Sequence, residues 1–396
     1  MRAVRFIGAG CPTGPAIMLV IMLFTQPATA QVRFQPRLLT IDANEGIAAG
    51  DINRDGQVDL VAGRNWYAAP DWAPRPLRLI DDWNGYVESN GDFLLDVNGD
   101  GWLDVVAGSF LPTEVYWFQN PGQTGLQRGE LWPRHLLMDT GHSLNEGQLL
   151  EDLDGDGIPE WIVNSWSADT PLTVWQLQPR KKQESAESGS QYQPRSQRIG
   201  QRNGHGTGIG DLNGDGRLDI LTGNGWYAQP EAGPWSGPWT YHADWQGQFS
   251  LPMIVTDVDG DGRNDVIAGY GHDHGLVWLR NRGEGTGPAA WQTRMIDDRF
   301  SQPHTLAWTD LDGDGLPELV TGKRVRAHNG NDPGGREPAC LYYYDHDPDT
   351  GTFVRHTIDQ GHIGCGLQIV ATDLSGDGKV DLAVAGKSGT WLLIAR

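Results

Sequence analysis

Asp51-Ile52-Asn53-Arg54-Asp55-Gly56-Gln57-Val58-Asp59 is written seven times with small changes, the other copies beginning at Asp96, Asp152, Asp211, Asp257, Asp310 and Asp373. Every copy reads Asp, apolar, Asp/Asn/Ser, any residue, Asp, Gly, two further residues and then Asp or Glu. Oxygen at positions one, three and five, followed by glycine and a later carboxylate, is the ligand order of a calcium loop. Glycine at position six supplies the positive φ needed to reverse the chain. The position-seven carbonyl is a further ligand. The last acid stands at position nine instead of twelve, and the flanks read as strands, so a helical calcium hand is excluded.

The side-chain ligands would be Asp51, Asn53, Asp55 and Asp59; Asp96, Asn98, Asp100 and Asp104; Asp152, Asp154, Asp156 and Glu160; Asp211, Asn213, Asp215 and Asp219; Asp257, Asp259, Asp261 and Asp265; Asp310, Asp312, Asp314 and Glu318; and Asp373, Ser375, Asp377 and Asp381. The serine makes the last copy the weakest. The loops hold nearly half of the 51 acidic residues, and up to seven calcium ions would cancel two thirds of the formal charge of -21. Acidity on this scale argues against nucleic acid as a partner.

Copies 45 to 63 residues apart, with only strand signals between them, imply a closed array of β-blades. One strand precedes each loop and one follows it. A third is aromatic-rich, as in Val115–Phe118, Val277–Leu279 and Leu341–Tyr344. A fourth alternates basic and apolar residues, as in Trp132–Met138, Trp291–Ile296 and Phe353–Ile358. Arg33–Ile41 is a fourth strand with no blade of its own, and Thr390–Ile394 is a third strand with no fourth. Their pairing closes the ring and removes an exposed edge. The expectation is an all-β, seven-bladed propeller over residues 31–396, four antiparallel strands per blade.

This repeat resembles the FG-GAP/VCBS family of secreted β-propellers over essentially all of residues 31–396. The resemblance implies calcium in the blade hairpins and, among its members, adhesion, carbohydrate binding or sugar chemistry.

Residues 1–30 read as a secretory signal peptide. Arg2 and Arg5 precede the apolar run Ala16–Phe24, and Ala28-Thr29-Ala30 offers a cleavage site before Gln31. The expected compartment is periplasmic or extracellular, with no transmembrane segment after cleavage and a monomeric product. Cys340 and Cys365 are either a disulfide or two buried thiols. A low-complexity insertion at about 179–192 is expected to be a mobile loop between the third and fourth strands of blade 3.

The face opposite the acidic loops carries the irregular residues. Six positions before each loop stand Glu45, Asn90, Glu146, His205, Leu251, His304 and Leu367, where the inner strands meet the channel. His205, His304 and Glu146 suit zinc or another transition metal, or an acid–base pair. The bland alternative is a polar, water-filled channel. His142 and His362, in blade-opening loops, either join this site or are ordinary surface histidines. His272-Asp273-His274 and Ser165-Trp166 occupy loops equivalent to one another.

The stretch Gly322–Glu337 is longer and more polar than a turn requires, and Lys323, Arg324, Arg326, His328, Asp332 and Arg336 would reach across the funnel. Lys323 and His328 join the catalytic candidates; the arginines and Asp332 are read as substrate-binding. The aromatic pairs Trp66-Tyr67 and Trp226-Tyr227 are expected to form a sugar platform. The alternative for any single tryptophan is packing between blades.

These blade-opening histidines and the Gly322–Arg336 loop also resemble the propeller domain of aldos-2-ulose dehydratase. That resemblance implies zinc held by His205 and His304, with Glu146 or another channel histidine, and a carbon–oxygen lyase acting on sugar ketones. The alternative is a propeller that binds carbohydrate without catalysis.

Overall fold

Each acidic nonapeptide is the connection of a β-hairpin. In the first copy, Ala48–Gly50 enters the loop and Asp59–Ala62 leaves it, with Gly50 opposite Asp59. Position six adopts the expected left-handed conformation, φ 85° at Gly56. Asn65–Tyr67 and Pro74–Pro76 add the third and fourth strands. The computed structural model describes residues 31–179, 190–283, 285 and 287–396. The expected signal peptide and residues 180–189 of the insertion lie outside the described residues.

Among the described residues there are seven such four-stranded antiparallel sheets. Blades 2 to 6 begin at Gly91–Leu95, Asn145–Glu151, Thr207–Gly210, Ile254–Thr256 and Pro303–Thr309. Leu172–Pro179 and Tyr192–Gly200 pair as the third and fourth strands of blade 3. Blade 7 takes Ile369–Thr372, Asp381–Gly386 and Gly389–Ala395 from the end of the chain and Phe34–Thr40 from its beginning. Phe34 pairs with Ala395 and Arg37 with Leu392, so the ring closes as expected.

First strands of neighbouring blades pack on one another and form the inner ring. Approach there is close. A Cβ on Gly366 would stand 2.7 Å from the Glu45 Cα, and one on Gly208 would stand 2.4 Å from the Met253 carbonyl oxygen. Leu251 fills the channel from blade 5, against Gly147 of blade 3.

The core is seven apolar layers, one at each junction between blades. Second strands face a neighbour on both sides, which is why Asp59–Ala62 and Asp381–Gly386 are buried throughout. This arrangement corrects the reading of the aromatic pairs. Trp66 and Tyr67 sit on a third strand, so alternation sends one into the layer between blades 1 and 2 and the other into the layer between blades 7 and 1. Trp226 and Tyr227 divide in the same way between the 4–5 and 3–4 layers. All four are buried and form no exposed sugar platform. Cys340 and Cys365 are two buried free thiols.

Candidate metal centre

The acidic loops are folded around their first aspartate. The Asp51 carboxylate accepts from the Asp55 and Gly56 amides, both at 3.0 Å, and Asn53 Oδ1 accepts from the Asp55 amide at 2.9 Å. The ninth residue is buried and ties the loop to its blade. Asp59 Oδ2 accepts from the Ile52 and Asn53 amides, and Oδ1 from the Ala69 amide. Asp104, Asp219, Asp265 and Asp381 repeat this double connection. In Asp152/Asp154/Glu160, Asp257/Asp259/Asp265 and Asp310/Asp312/Glu318, one ligand atom from each acid lies within 4.8 Å of the others.

Burial and then neighbouring acids push the ninth carboxyl up, to about 6 at Asp59, about 7 at Asp104 and Glu318 and about 8 at Glu160. A divalent cation is the charge that would offset this crowding. The oxygen-only donor set fits calcium.

The second constellation lies in the channel. Glu146, His205, His272 and His304, all buried, bring one ligand atom each within 4.8 Å of the others. Glu146, His205 and His304 come from inner-strand positions of blades 3, 4 and 6, as the sequence register implied. His272 comes from the loop between the second and third strands of blade 5, and the sequence reading did not count it among the ligands. Its signal was present in His272-Asp273-His274.

The hydrogen bonds settle the tautomers. His205 Nδ1 lies 2.8 Å from the Phe249 carbonyl oxygen, which only accepts, so the proton is on Nδ1 and Nε2 keeps a lone pair. His272 Nδ1 lies 2.9 Å from the Asp332 carboxylate, with the same result. At His304, Arg324 Nη1 donates to Nε2 over 2.9 Å. Three Nε2 lone pairs therefore converge. His205 Nε2 is 3.0 Å from His272 Nε2 and 3.1 Å from His304 Nε2. The Glu146 carboxylate is 3.9 Å from His205 Nε2 and 3.6 Å from His304 Nε2.

Metal–nitrogen bonds of about 2.0–2.1 Å in a tetrahedron place ligand atoms about 3.3 Å apart, close to this spacing. Burial pushes His205 down to about 3 and His304 well below its usual value, so the rings are neutral, as ligation requires. The Asp332–His272 contact is the carboxylate–imidazole pairing that orients metal ligands. The donor set of three imidazoles and a carboxylate fits zinc or a related transition metal.

Arg324 sits beside this group. It pairs in two-pronged fashion with Glu45, at 2.8 and 2.7 Å, and with Glu146 through Nη1; Lys387 Nζ adds a contact of 2.9 Å to Glu45. Burial alone would raise the Glu45 carboxyl, but the two cations hold it down to about 2. Arg324 thus organises the channel carboxylates.

Lys323 is displaced from its expected catalytic place. Its ammonium is buried beneath the long loop, donating to Ser301 Oγ, Gln302 Oε1 and the Gly334 carbonyl at 2.5, 3.0 and 2.6 Å. Gln302 in turn donates to Asp332 at 2.9 Å, so Lys323 positions the residue that orients His272. His328 stacks on His272, ring centroids 4.4 Å apart, and its Nδ1 lies 2.7 Å from Asp332. Arg326, His328 and Asn329 all have left-handed backbone, φ 55°, 45° and 57°, a strain of order 1 kcal/mol or more each that the loop sustains. Arg336 is exposed on the same loop. His362 is exposed and paired with Asp359, and His142 lines a small crevice with Asn145 and Asn203; neither joins the cluster.

Above the cluster is a cavity of about 390 Å³, lined by Trp83, Tyr86, Phe110 and Trp166 together with Glu146, Arg324, Arg326, His328 and Lys387. Trp166 makes edge contacts with His205, His272 and His328. The aromatic wall of the funnel is therefore real but is built from other residues than the two Trp-Tyr pairs. A larger cavity of about 530 Å³, lined by Arg78, Tyr116 and Trp132 among others, contains none of the four cluster residues, whereas Glu146 lines the smaller one.

Residues 96–163, 152–222 and 257–321 match the FG-GAP-like repeat. With the seven blades, these matches support an FG-GAP repeat β-propeller. No curated protein matches the chain significantly. Among solved structures it is similar to BBS1N in complex with ARL6DN, at 10% identity over 91% of this chain and 96% of that one, TM-score 0.49. It is also similar to the V. cholerae biofilm matrix protein Bap1, at 17% identity over 86% of this chain and 45% of that one, TM-score 0.36. The extracellular domain of the one-component system BT4673 from B. thetaiotaomicron is similar at 11% identity, over 91% of this chain and 40% of that one, TM-score 0.48. The chain spans less than half of the last two. No helix among the described residues is long and apolar enough to cross a membrane.

Proposed function

We propose that the protein is a secreted, monomeric propeller, stiffened by calcium on one face, whose channel binds a zinc-class metal and acts on carbohydrate as a carbon–oxygen lyase. The observation that carries this reading is the convergence of the His205, His272 and His304 Nε2 lone pairs with Glu146, beside an aromatic-walled cavity that Glu146 lines and whose Trp166 touches His205 and His272. Trp83, Tyr86, Phe110 and Trp166 would cover the apolar face of a sugar, and the charged floor would take its hydroxyls. A bound metal would supply Lewis-acid polarisation of a sugar carbonyl.

The remaining work falls to side chains. His328, its Nδ1–H held by Asp332, presents Nε2 to the cavity as the base for the proton α to that carbonyl. The C–H electrons form the new double bond as the β C–O bond breaks. Tyr86, kept protonated by burial and by the charge of Glu45, donates to the departing oxygen. Lys323 and Asp332 position, and do not react.

A second reading, a carbohydrate-binding or adhesive propeller without catalysis, is favoured by Arg324, which already gives Glu146 and the His304 Nε2 a cationic partner. Metal analysis after selective calcium removal separates the two. Lyase chemistry expects one tightly held zinc per chain, lost in His205→Ala/His272→Ala, and a new conjugated double bond from keto-sugars or uronides. Calcium alone, with no product from any of these sugars, would sink it.

A further inference from the structure

The charges around the cavity do not balance evenly. Arg324 and Lys387 are matched by Glu45 and Glu146, with which they form buried ion pairs. Arg326 is different. It lines the same cavity, is exposed, and its guanidinium has no ion-pair partner among the described residues. Asp82, on the hairpin that Arg326 faces, is already paired with Arg64.

The position of Arg326 is not casual. Its backbone is left-handed, within a loop that holds His328 and Asn329 left-handed as well. Its Nη2 reaches across the cavity to the Asp82–Trp83 and Tyr86–Val87 hairpin, 3.7 Å from where a Cβ on Gly85 would stand. One unmatched guanidinium therefore spans the rim between the aromatic wall and the base His328. A flat, two-pronged donor at that place suits an oxyanion of the ligand.

We infer that the ligand of this site is an acidic sugar whose carboxylate is held by Arg326. This rests on the proposal that the cavity takes carbohydrate, and it names the class. Neutralising a carboxylate also eases removal of its α-proton. That proton passes to His328 Nε2, the C–H pair becomes the C=C bond, and the β C–O pair leaves with an oxygen that takes up the Tyr86 hydroxyl proton.

The test measures, by calorimetry, binding of oligouronides, the same oligosaccharides after carboxyl reduction, and sulfated oligosaccharides that carry no carboxylate, on the wild type and on Arg326→Gln. The wild type should bind oligouronides on the order of tenfold more tightly than their reduced forms, with a preference that fades as salt rises. Arg326→Gln should lose the preference, Arg326→Lys should keep part of it, and both should melt like the wild type because the side chain is exposed. Equal binding of acid and reduced forms would overturn the inference and leave the carbohydrate site standing. Sulfated sugars binding as tightly as uronides, through Arg326, would overturn the assignment to a carboxylate. Binding of none of the three would overturn both this inference and the site beneath it.

Discussion

His205 Nε2 and His272 Nε2 face each other across 3.0 Å, although each ring has its proton committed on Nδ1, to the Phe249 carbonyl and the Asp332 carboxylate. Two lone pairs at hydrogen-bond distance need a cation or a proton between them. Zinc is expected to bind here, and His272→Ala should weaken its affinity by tenfold or more. Cobalt(II) offers a readout independent of turnover: intense visible bands for a four-coordinate site in the wild type, and loss of intensity in His272→Ala. Unchanged cobalt spectra in that variant would remove His272 from the ligand set.

Calcium should stabilise the ring most at high pH. In the metal-free protein the ninth acids titrate between about 6 and 8, above their unfolded values, so the folded state holds more protons in that window. Metal-free stability therefore rises as pH falls from 8 towards 5. Calcium needs the carboxylates ionised, so its contribution shrinks over the same range. Chelation should lower the Tm strongly at pH 8 and less at pH 5.5. A chelation effect independent of pH would contradict these loops as calcium sites.

Arg324 should be worth more to the fold than an ordinary surface arginine. Arg324→Met leaves Glu45 and Glu146 buried, with only Lys387 as counter-charge, and is expected to cost about 3–5 kcal/mol in urea unfolding. A loss under about 1 kcal/mol would show that the channel carboxylates are hydrated or protonated instead.

Two tryptophans should behave oppositely. Trp226→Ala opens the layer between blades 4 and 5 and should cost about 3–5 kcal/mol, without a specific effect on saccharide binding. Trp166→Ala removes a half-buried ring of the cavity wall and should weaken saccharide binding while changing the Tm little. The reverse pattern would return the sugar platform to the Trp66-Tyr67 and Trp226-Tyr227 pairs.

The sequence by itself determined the blade count, through the acidic repeat, and the strand order and closure by Phe34–Thr40, through the strand patterns between the repeats and at the two ends. These follow from local rules: glycine at a positive φ, period-two alternation and oxygen ligands at fixed offsets. It also placed Glu146, His205 and His304 at equivalent inner positions, because register carries along a strand. Which aromatic rings are exposed was not legible, since only the packing of neighbouring blades puts Trp66 inside a layer while Trp83, on a hairpin outside the blades, lines the cavity. Nor was the part played by His272, Arg324 and Lys323. Their places depend on the path of one irregular loop, pinned by Lys323 to Gly334 and by Asp332 to His272, and on the radius of the closed ring. No periodicity along the chain encodes either quantity, so only the tertiary structure could bring that fourth ligand to the channel.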